Sequence, residues 1–244
     1  MFLEVYKDYV IIERGQSALY LECTTAIYGT LKAALLFYNS FVKNMKSKGF
    51  EINPYDRCTA NKMINGKQMT IVWHVDDVKA SHAELEVLEE YVEYLRSIYD
   101  DEEIGVLKMN RGPRHEFLGM ILDYSEPGKV KIDMTDYVEK MVEEFEYELP
   151  KSAKTPAAEH LFKVNDKCEK LNDKLASDFH TFTAKGLFVC KRGRPDVQTA
   201  IAFLTTRVKE PDQDDWKKLV RMMTYLRDTK SMVLTLEADD LKMM

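Results

Sequence analysis

The sequence predicts an α+β fold, a mixed sheet-and-helix half at residues 1–134 followed by a mainly helical half at 135–240. Asn65-Gly66, the dipeptide best suited to a tight hairpin turn, stands between two alternating apolar runs. Residues 30–48 and 83–99 repeat apolar side chains at the three-then-four spacing of a helix face. Beyond Pro150 and Pro156 that helical spacing returns three times, with little alternation between.

In the first helix the expected buried stripe is Leu31, Ala34, Leu35, Tyr38, Phe41, Val42 and Met45. Lys43, Lys46 and Lys48 crowd its last turns, where positive charge suits the helix dipole, and Gly49 ends it. Strands at 58–63 and 69–75 flank the hairpin turn, with Ile71, Trp73 and Val75 alternating against Thr70, Val72 and His74. Asp76-Asp77 follows and residues 78–81 look extended, so two carboxylates sit at a strand-turn-strand point. The second helix carries Leu85, Leu88, Val92, Leu95 and Tyr99 on its expected stripe. Residues 116–124 and 129–134 read as a further hairpin about Glu126-Pro127-Gly128, and Thr135 as a helix cap. Pro150 and Thr155-Pro156 mark a linker, because proline keeps the preceding residue out of a helix. Helices are expected at 173–192, 196–208 and 214–227, with Pro195 and Pro211 ahead of the last two, and a short strand at 232–236.

The composition, 45% hydrophobic and 31% charged over 244 residues, is that of a soluble globular chain with a sizeable core. No apolar run reaches the roughly 18 residues of a membrane span, so no membrane partner is expected. Glu4, Lys7 and Asp8 interrupt the first ten residues, which argues against a secretory signal and for a cytoplasmic or nuclear protein. Cys23, Cys58, Cys168 and Cys190 are too scattered for a metal finger and read as reduced thiols. A net charge of -6 excludes nucleic-acid binding along the whole surface, not along a local basic track. Two such tracks exist: Lys108, Arg111 and Arg114, and Lys191, Arg192 and Arg194.

Adjacent carboxylates repel, and a divalent cation relieves that cost. Mg²⁺ takes hard oxygen ligands and keeps positions open for water and phosphate. Asp76-Asp77 is set apart from Asp100-Asp101, Asp214-Asp215 and Asp239-Asp240, which read as solvated turns, by the apolar strand that runs into it.

Trp73-His74-Val75-Asp76-Asp77 resembles the aromatic-x-Asp-Asp box of reverse transcriptases. Ala26-Ile27-Tyr28-Gly29-Thr30-Leu31-Lys32 resembles the Leu-Tyr-Gly-Leu-Lys region of copia-type retrotransposons, and Glu116-Phe117-Leu118-Gly119-Met120 the box that follows in that family. Lys154-Thr155-Pro156, Arg194-Pro195-Asp196, Ala202-Phe203-Leu204 and Tyr225-Leu226-Arg227-Asp228-Thr229 continue in the family's order. The resemblance implies a partial right-hand polymerase: a palm sheet bearing the metal carboxylates, then a helical thumb or connection region. It makes Asp76 a direct Mg²⁺ (or Mn²⁺) ligand and Asp77 its catalytic helper. Phe117, Leu118 and Gly119 become a primer-grip-like hairpin, and Tyr28, Gly29 and Lys32 a support for template and nucleotide. The implied partners are an RNA or DNA template with its primer, deoxynucleoside triphosphates, and the integrase and RNase H of the same polyprotein. The implied location is a cytoplasmic virus-like particle or the nucleus.

The family places a third carboxylate on an earlier strand, in a pattern like Asp-Val-Lys-x-Ala-Phe-Leu, and none precedes Tyr28. On this mapping Met1 falls after the first catalytic aspartate, and RNase H lies beyond Met244. His74 stands where Tyr or Phe is usual, and Ala34-Leu35 where many copia elements have Pro-Arg. Two alternatives to an active RNA-directed DNA polymerase stay open: an inactive element remnant, and a nucleic-acid-binding module without catalysis.

Overall fold

The computed structural model describes residues 6–20, 22, 26–27, 29–101, 105–165 and 167–237. The fold is α+β, and the chain divides into two compact units, Met1–Leu107 and Lys108–Met244.

In the first unit, β1 (Ile11–Glu13) and β2 (Gln16–Ala18) pair as a small antiparallel ribbon. Thr30 caps α1 (Leu31–Ser47), its hydroxyl accepting the Ala33 amide at 3.2 Å. Only the later turns of α1 meet a core, with Phe41 and Met45 buried. Leu31 and Leu35, expected on the buried stripe, are 93% and 59% exposed because the sheet reaches only the C-terminal half of the helix.

That sheet is antiparallel and runs in the order β3 (Glu51–Ile52), β4 (Thr59–Ile64), β5 (Lys67–His74), β6 (Asp77–Ser81). Asn65 and Gly66, at φ of 52° and 72°, make the expected tight turn between β4 and β5. Met69, Ile71 and Trp73 fill one face of β5 and pack on α1 and on α2 (Leu85–Tyr99). The buried face of α2 is Val87, Tyr91 and Leu95, which shares only Leu95 with the expected stripe. Leu85 opens the helix beyond the cover of the sheet and is 62% exposed.

The second unit holds β7 (Arg114–Phe117), β8 (Met120–Asp123), β9 (Lys129–Asp133) and β10 (Leu234–Glu237), paired antiparallel in the order β10-β9-β8-β7. The single strand expected over 116–124 is broken in its middle. Leu118 and Gly119, at φ of 52° and 72°, reverse the chain so that Phe117 faces Met120. β7, β8 and β9 fall within residues 1–134, the half read from sequence as sheet and helix, yet they belong to the second unit, where β10 from the end of the described chain joins them and Met134 is buried in the core.

Thr135 is the first residue of α3 (Thr135–Glu143) rather than its cap; the Asp133 carboxylate accepts its amide at 2.8 Å. The described residues of 144–172 contain no helix or ladder strand, but they are a tied strap and not a loose linker. The Ala153 amide donates to Asp228 at 2.9 Å, Arg227 donates to the carbonyls of Pro150 and Lys151, and Leu161 is buried. Pro150 and Pro156 interrupt regular structure locally and do not prevent packing.

Asn172 caps α4 (Asp173–Arg192), and a 3-10 turn at Pro195–Val197 leads into α5 (Gln198–Arg207). Asp212 and Asp215 form a reciprocal capping box at the start of α6 (Gln213–Asp228). Against expectation Asp215 is 1% exposed: it accepts Arg207 Nε at 2.9 Å and lies 3.9 Å from the Lys218 ammonium. It occupies the third helical position, which faces inward.

Removing one member of a buried charge group strands the others in a poor solvent. Asp215→Ala should therefore cost about 3 kcal/mol, and Asp214→Ala, whose carboxylate is partly solvated, about 1 kcal/mol. Urea unfolding of the two variants compares them, and equal losses would contradict the buried role of Asp215.

Candidate functional site

Trp73 is the last buried residue of β5, with the rings of Phe41 and Tyr38 at 5.0 and 6.3 Å. Beyond it the buried face ends. His74 pairs with Asp77 across the hairpin, leaving Val75 and Asp76 as a two-residue turn, and all four residues are exposed. Asp76 thus sits at the tip and Asp77 opens β6. Val75 has φ of 54°, a left-handed conformation that crowds a β-branched side chain. The buried Trp73 Nε1 finds no acceptor among the described residues.

Two carboxylates on one exposed turn concentrate negative charge where solvent, cations and phosphate have access. Among the described residues no group of three or more His, Cys, Asp and Glu side chains could hold a metal ion. The pair fits a single cation that keeps most of its water; it does not fit, from these residues alone, a centre clamping two ions.

The remaining sequence candidates fall in several places. Tyr28 lies outside the described residues, as do Asp239 and Asp240. Gly29, at φ of 83°, and Lys32, in the first turn of α1, are both exposed. Leu118 and Gly119 form the β7–β8 turn, and a Cβ on Gly119 would stand 3.4 Å from the Phe188 ring. The Arg192 guanidinium lies 3.6 Å over that same ring, so Phe188 brings the 117–119 turn and one basic residue together. Phe188 gave no functional signal in the sequence, where it reads as one more apolar position of a helix stripe.

Lys108, Arg111, Arg114 and Lys191 are exposed, with Arg114 3.9 Å from Asp133. Arg194 is not available to a phosphate at the surface. It is 2% exposed, grips Asp196 through two bonds of 2.9 and 2.8 Å, and donates to the Thr229 carbonyl and hydroxyl at 2.9 and 2.7 Å. Burial raises the Asp196 carboxyl pKa, but the Arg194 guanidinium more than offsets that and holds it below the usual carboxylate range.

No family model matches the chain, and no solved structure matches it significantly. Among curated proteins it is 25% identical over 214 residues to the putative transposon Ty5-1 protein of Saccharomyces cerevisiae, covering 85% of this chain and 65% of that one. It is 21% identical over 221 residues to the retrovirus-related Pol polyprotein from transposon TNT 1-94 of Nicotiana tabacum, covering 88% of this chain and 16% of that one. The chain thus spans less than two thirds of either relative, and both likenesses support a retrotransposon origin. No helix of the described residues is long and apolar enough to cross a membrane.

The left-handed Val75 yields a direct test. Asn tolerates that conformation far better, and Val75, already 46% exposed, loses little burial. Val75→Asn should stabilise the chain by about 1 kcal/mol in urea unfolding. An unchanged or lower midpoint would mean that the turn carries no strain.

Proposed function

We propose that this chain is the later palm and thumb-like part of a copia-type reverse transcriptase, the RNA-directed DNA polymerase of a retrotransposon Pol polyprotein. The observation that carries the reading is the placement of Asp76 on the two-residue turn, and of Asp77 as the first residue after it, at the end of an apolar strand. The transposon relatives support it. In this reading a primer 3′-hydroxyl attacks the α-phosphate of a deoxynucleoside triphosphate on an RNA or DNA template. The bond to the β-phosphate breaks to release pyrophosphate, and the hydroxyl proton passes to solvent. A Mg²⁺ or Mn²⁺ ion, when bound, offsets the charge of that phosphate. Asp76 would hold that ion directly and Asp77 would assist it. Gly29 and Lys32, with Tyr28, support template and nucleotide. Phe117, Leu118 and Gly119 hold the primer end, and Lys108, Arg111, Arg114, Lys191 and Arg192 contact backbone phosphates. Integrase and RNase H complete the polyprotein.

A second reading, a nucleic-acid-binding module without catalysis, is favoured by the donor set. Two-ion catalysis draws carboxylates from two strands, and the described residues supply one hairpin's pair. Residues 1–244 alone should accordingly show no template-dependent primer extension in Mg²⁺ or Mn²⁺. Incorporation that Asp76→Ala abolishes would show that another residue completes the centre.

Ion binding is separable from turnover. Mn²⁺ titrated into the labelled chain should broaden amide resonances of residues 74–79 first, with millimolar affinity, because two carboxylates leave the ion mostly hydrated. Asp76→Asn and Asp77→Asn should each remove that selectivity. Equal broadening at Asp100 and Asp136 in the wild type would sink the ion site.

A further inference from the structure

A cavity of about 250 Å³ lies in the second unit between the strap and the middle of α6. Ala157, His160 and Leu161 line it from the strap, and Lys217, Lys218 and Arg221 from the helix. Its three cations are not equivalent. Lys218 is buried and committed, its ammonium donating to the Lys163 carbonyl at 2.7 Å and pairing with Asp214 at 3.1 Å. Lys217 and Arg221 are one helical turn apart on the same face, where like charges repel. Lys217 is exposed, and neither residue has an ion-pair partner among the described residues.

Arg221 is nevertheless fixed in place. One terminal nitrogen donates to the Thr155 hydroxyl at 2.9 Å, and that hydroxyl donates to the Ala157 carbonyl at 2.8 Å. The strap therefore orients the guanidinium through the Lys154-Thr155-Pro156 segment. Its Nε is buried without an acceptor, and its other terminal nitrogen has none among the described residues. Donors withdrawn from water are almost always satisfied in native proteins, so a fixed fork with unmet donors beside an unpaired ammonium points to an acceptor from outside the chain.

We propose that this cavity is a binding site for the phosphate group of a small molecule. A planar guanidinium fork and a point-charge ammonium are the pair that recognises phosphate oxygens, and His160 adds a further donor at the rim. The volume exceeds that of phosphate alone, and Ala157 and Leu161 offer apolar walls to the organic part of a phosphate monoester. The site is independent of the Asp76-Asp77 hairpin and of the polymerase reading, and it stands or falls without them.

Calorimetric titration of the full chain with inorganic phosphate, at constant ionic strength against a chloride control, tests the site. Saturable binding with a Kd of order 1 mM is expected. Lys217→Gln and Arg221→Gln should each weaken it by about fivefold or more, and Arg221→Lys should not restore it because the fork is lost. Lys217 is exposed, so its variant keeps the test valid if loss of the Arg221–Thr155 bond disturbs the strap. Adenosine monophosphate binding more tightly than phosphate supports the monoester assignment. Heats that are the same in wild type and Lys217→Gln overturn the proposal. An RNA–DNA hybrid weakened by Lys217→Gln when free phosphate does not bind also overturns it, by making the lysine a surface backbone contact.

Discussion

The first unit depends on one requirement, that β5 bury a single face. Met69, Ile71 and Trp73 are 1%, 0% and 2% exposed, and Phe41, Met45, Tyr91 and Leu95 from two helices close over them. A one-residue slip against β4 would turn all three into solvent, so burial and the Asn65-Gly66 turn enforce the same register. That register also decides where the strand must end. Trp73 is the last side chain the core can take, and the chain reverses at once. Two carboxylates that no core would accept are thereby carried to the exposed tip. The unsatisfied indole nitrogen and the left-handed Val75 are local costs tolerated by that packing.

The second unit is organised by buried charge as much as by its apolar core. Arg194 joins the start of the 3-10 turn to Thr229 at the end of α6, and Asp215 gathers Arg207 and Lys218 at its beginning. Both ends of α6 are therefore fixed by buried or half-buried ions paired with one another or with backbone carbonyls. Such groups add less to net stability than apolar packing of equal volume, yet they penalise alternative arrangements that would leave a charge alone. They also explain the order of the strap: Arg227, Asp228 and Lys218 spend their hydrogen bonds on its backbone. A segment interrupted by Pro150 and Pro156 gains from side chains the partners its own ladder cannot supply.

The features legible in the sequence are those set by neighbours along the chain. The Asn-Gly turn, the alternation of β5, the Asp-Asp tip and the extents of α4 and α6 all follow from local propensity and period. The features that escaped depend on what lies across the core. Nothing local separates the covered turns of α1 from its exposed first turns, or makes Tyr91 rather than Leu88 the center of the α2 face. Leu118-Gly119 was hidden because leucine rarely takes a left-handed turn position, so the apolar run looked continuous. Asp214 and Asp215 differ by one helix position, about 100° of rotation, and only the neighbouring helix decides which is buried.

The same reasoning governs the cations, for which sequence runs are a poor guide. Lys191, Arg192 and Arg194 stand close in sequence, but the structure assigns one to solvent, one to the Phe188 ring and one to the interior. Lys217, Lys218 and Arg221 look no more suggestive, with two aspartates just upstream. Yet Lys218 absorbs the nearby negative charge, and that leaves Lys217 and Arg221 less compensated than the local composition implies. A net charge of -6 is therefore compatible with positive sites, because carboxylates cancel only the cations they reach. What determines a cation's availability to phosphate is whether a carboxylate or backbone carbonyl of the folded chain has already taken it. Arg194 is taken on every side, whereas Arg221 is held by one hydroxyl and keeps donors to spare.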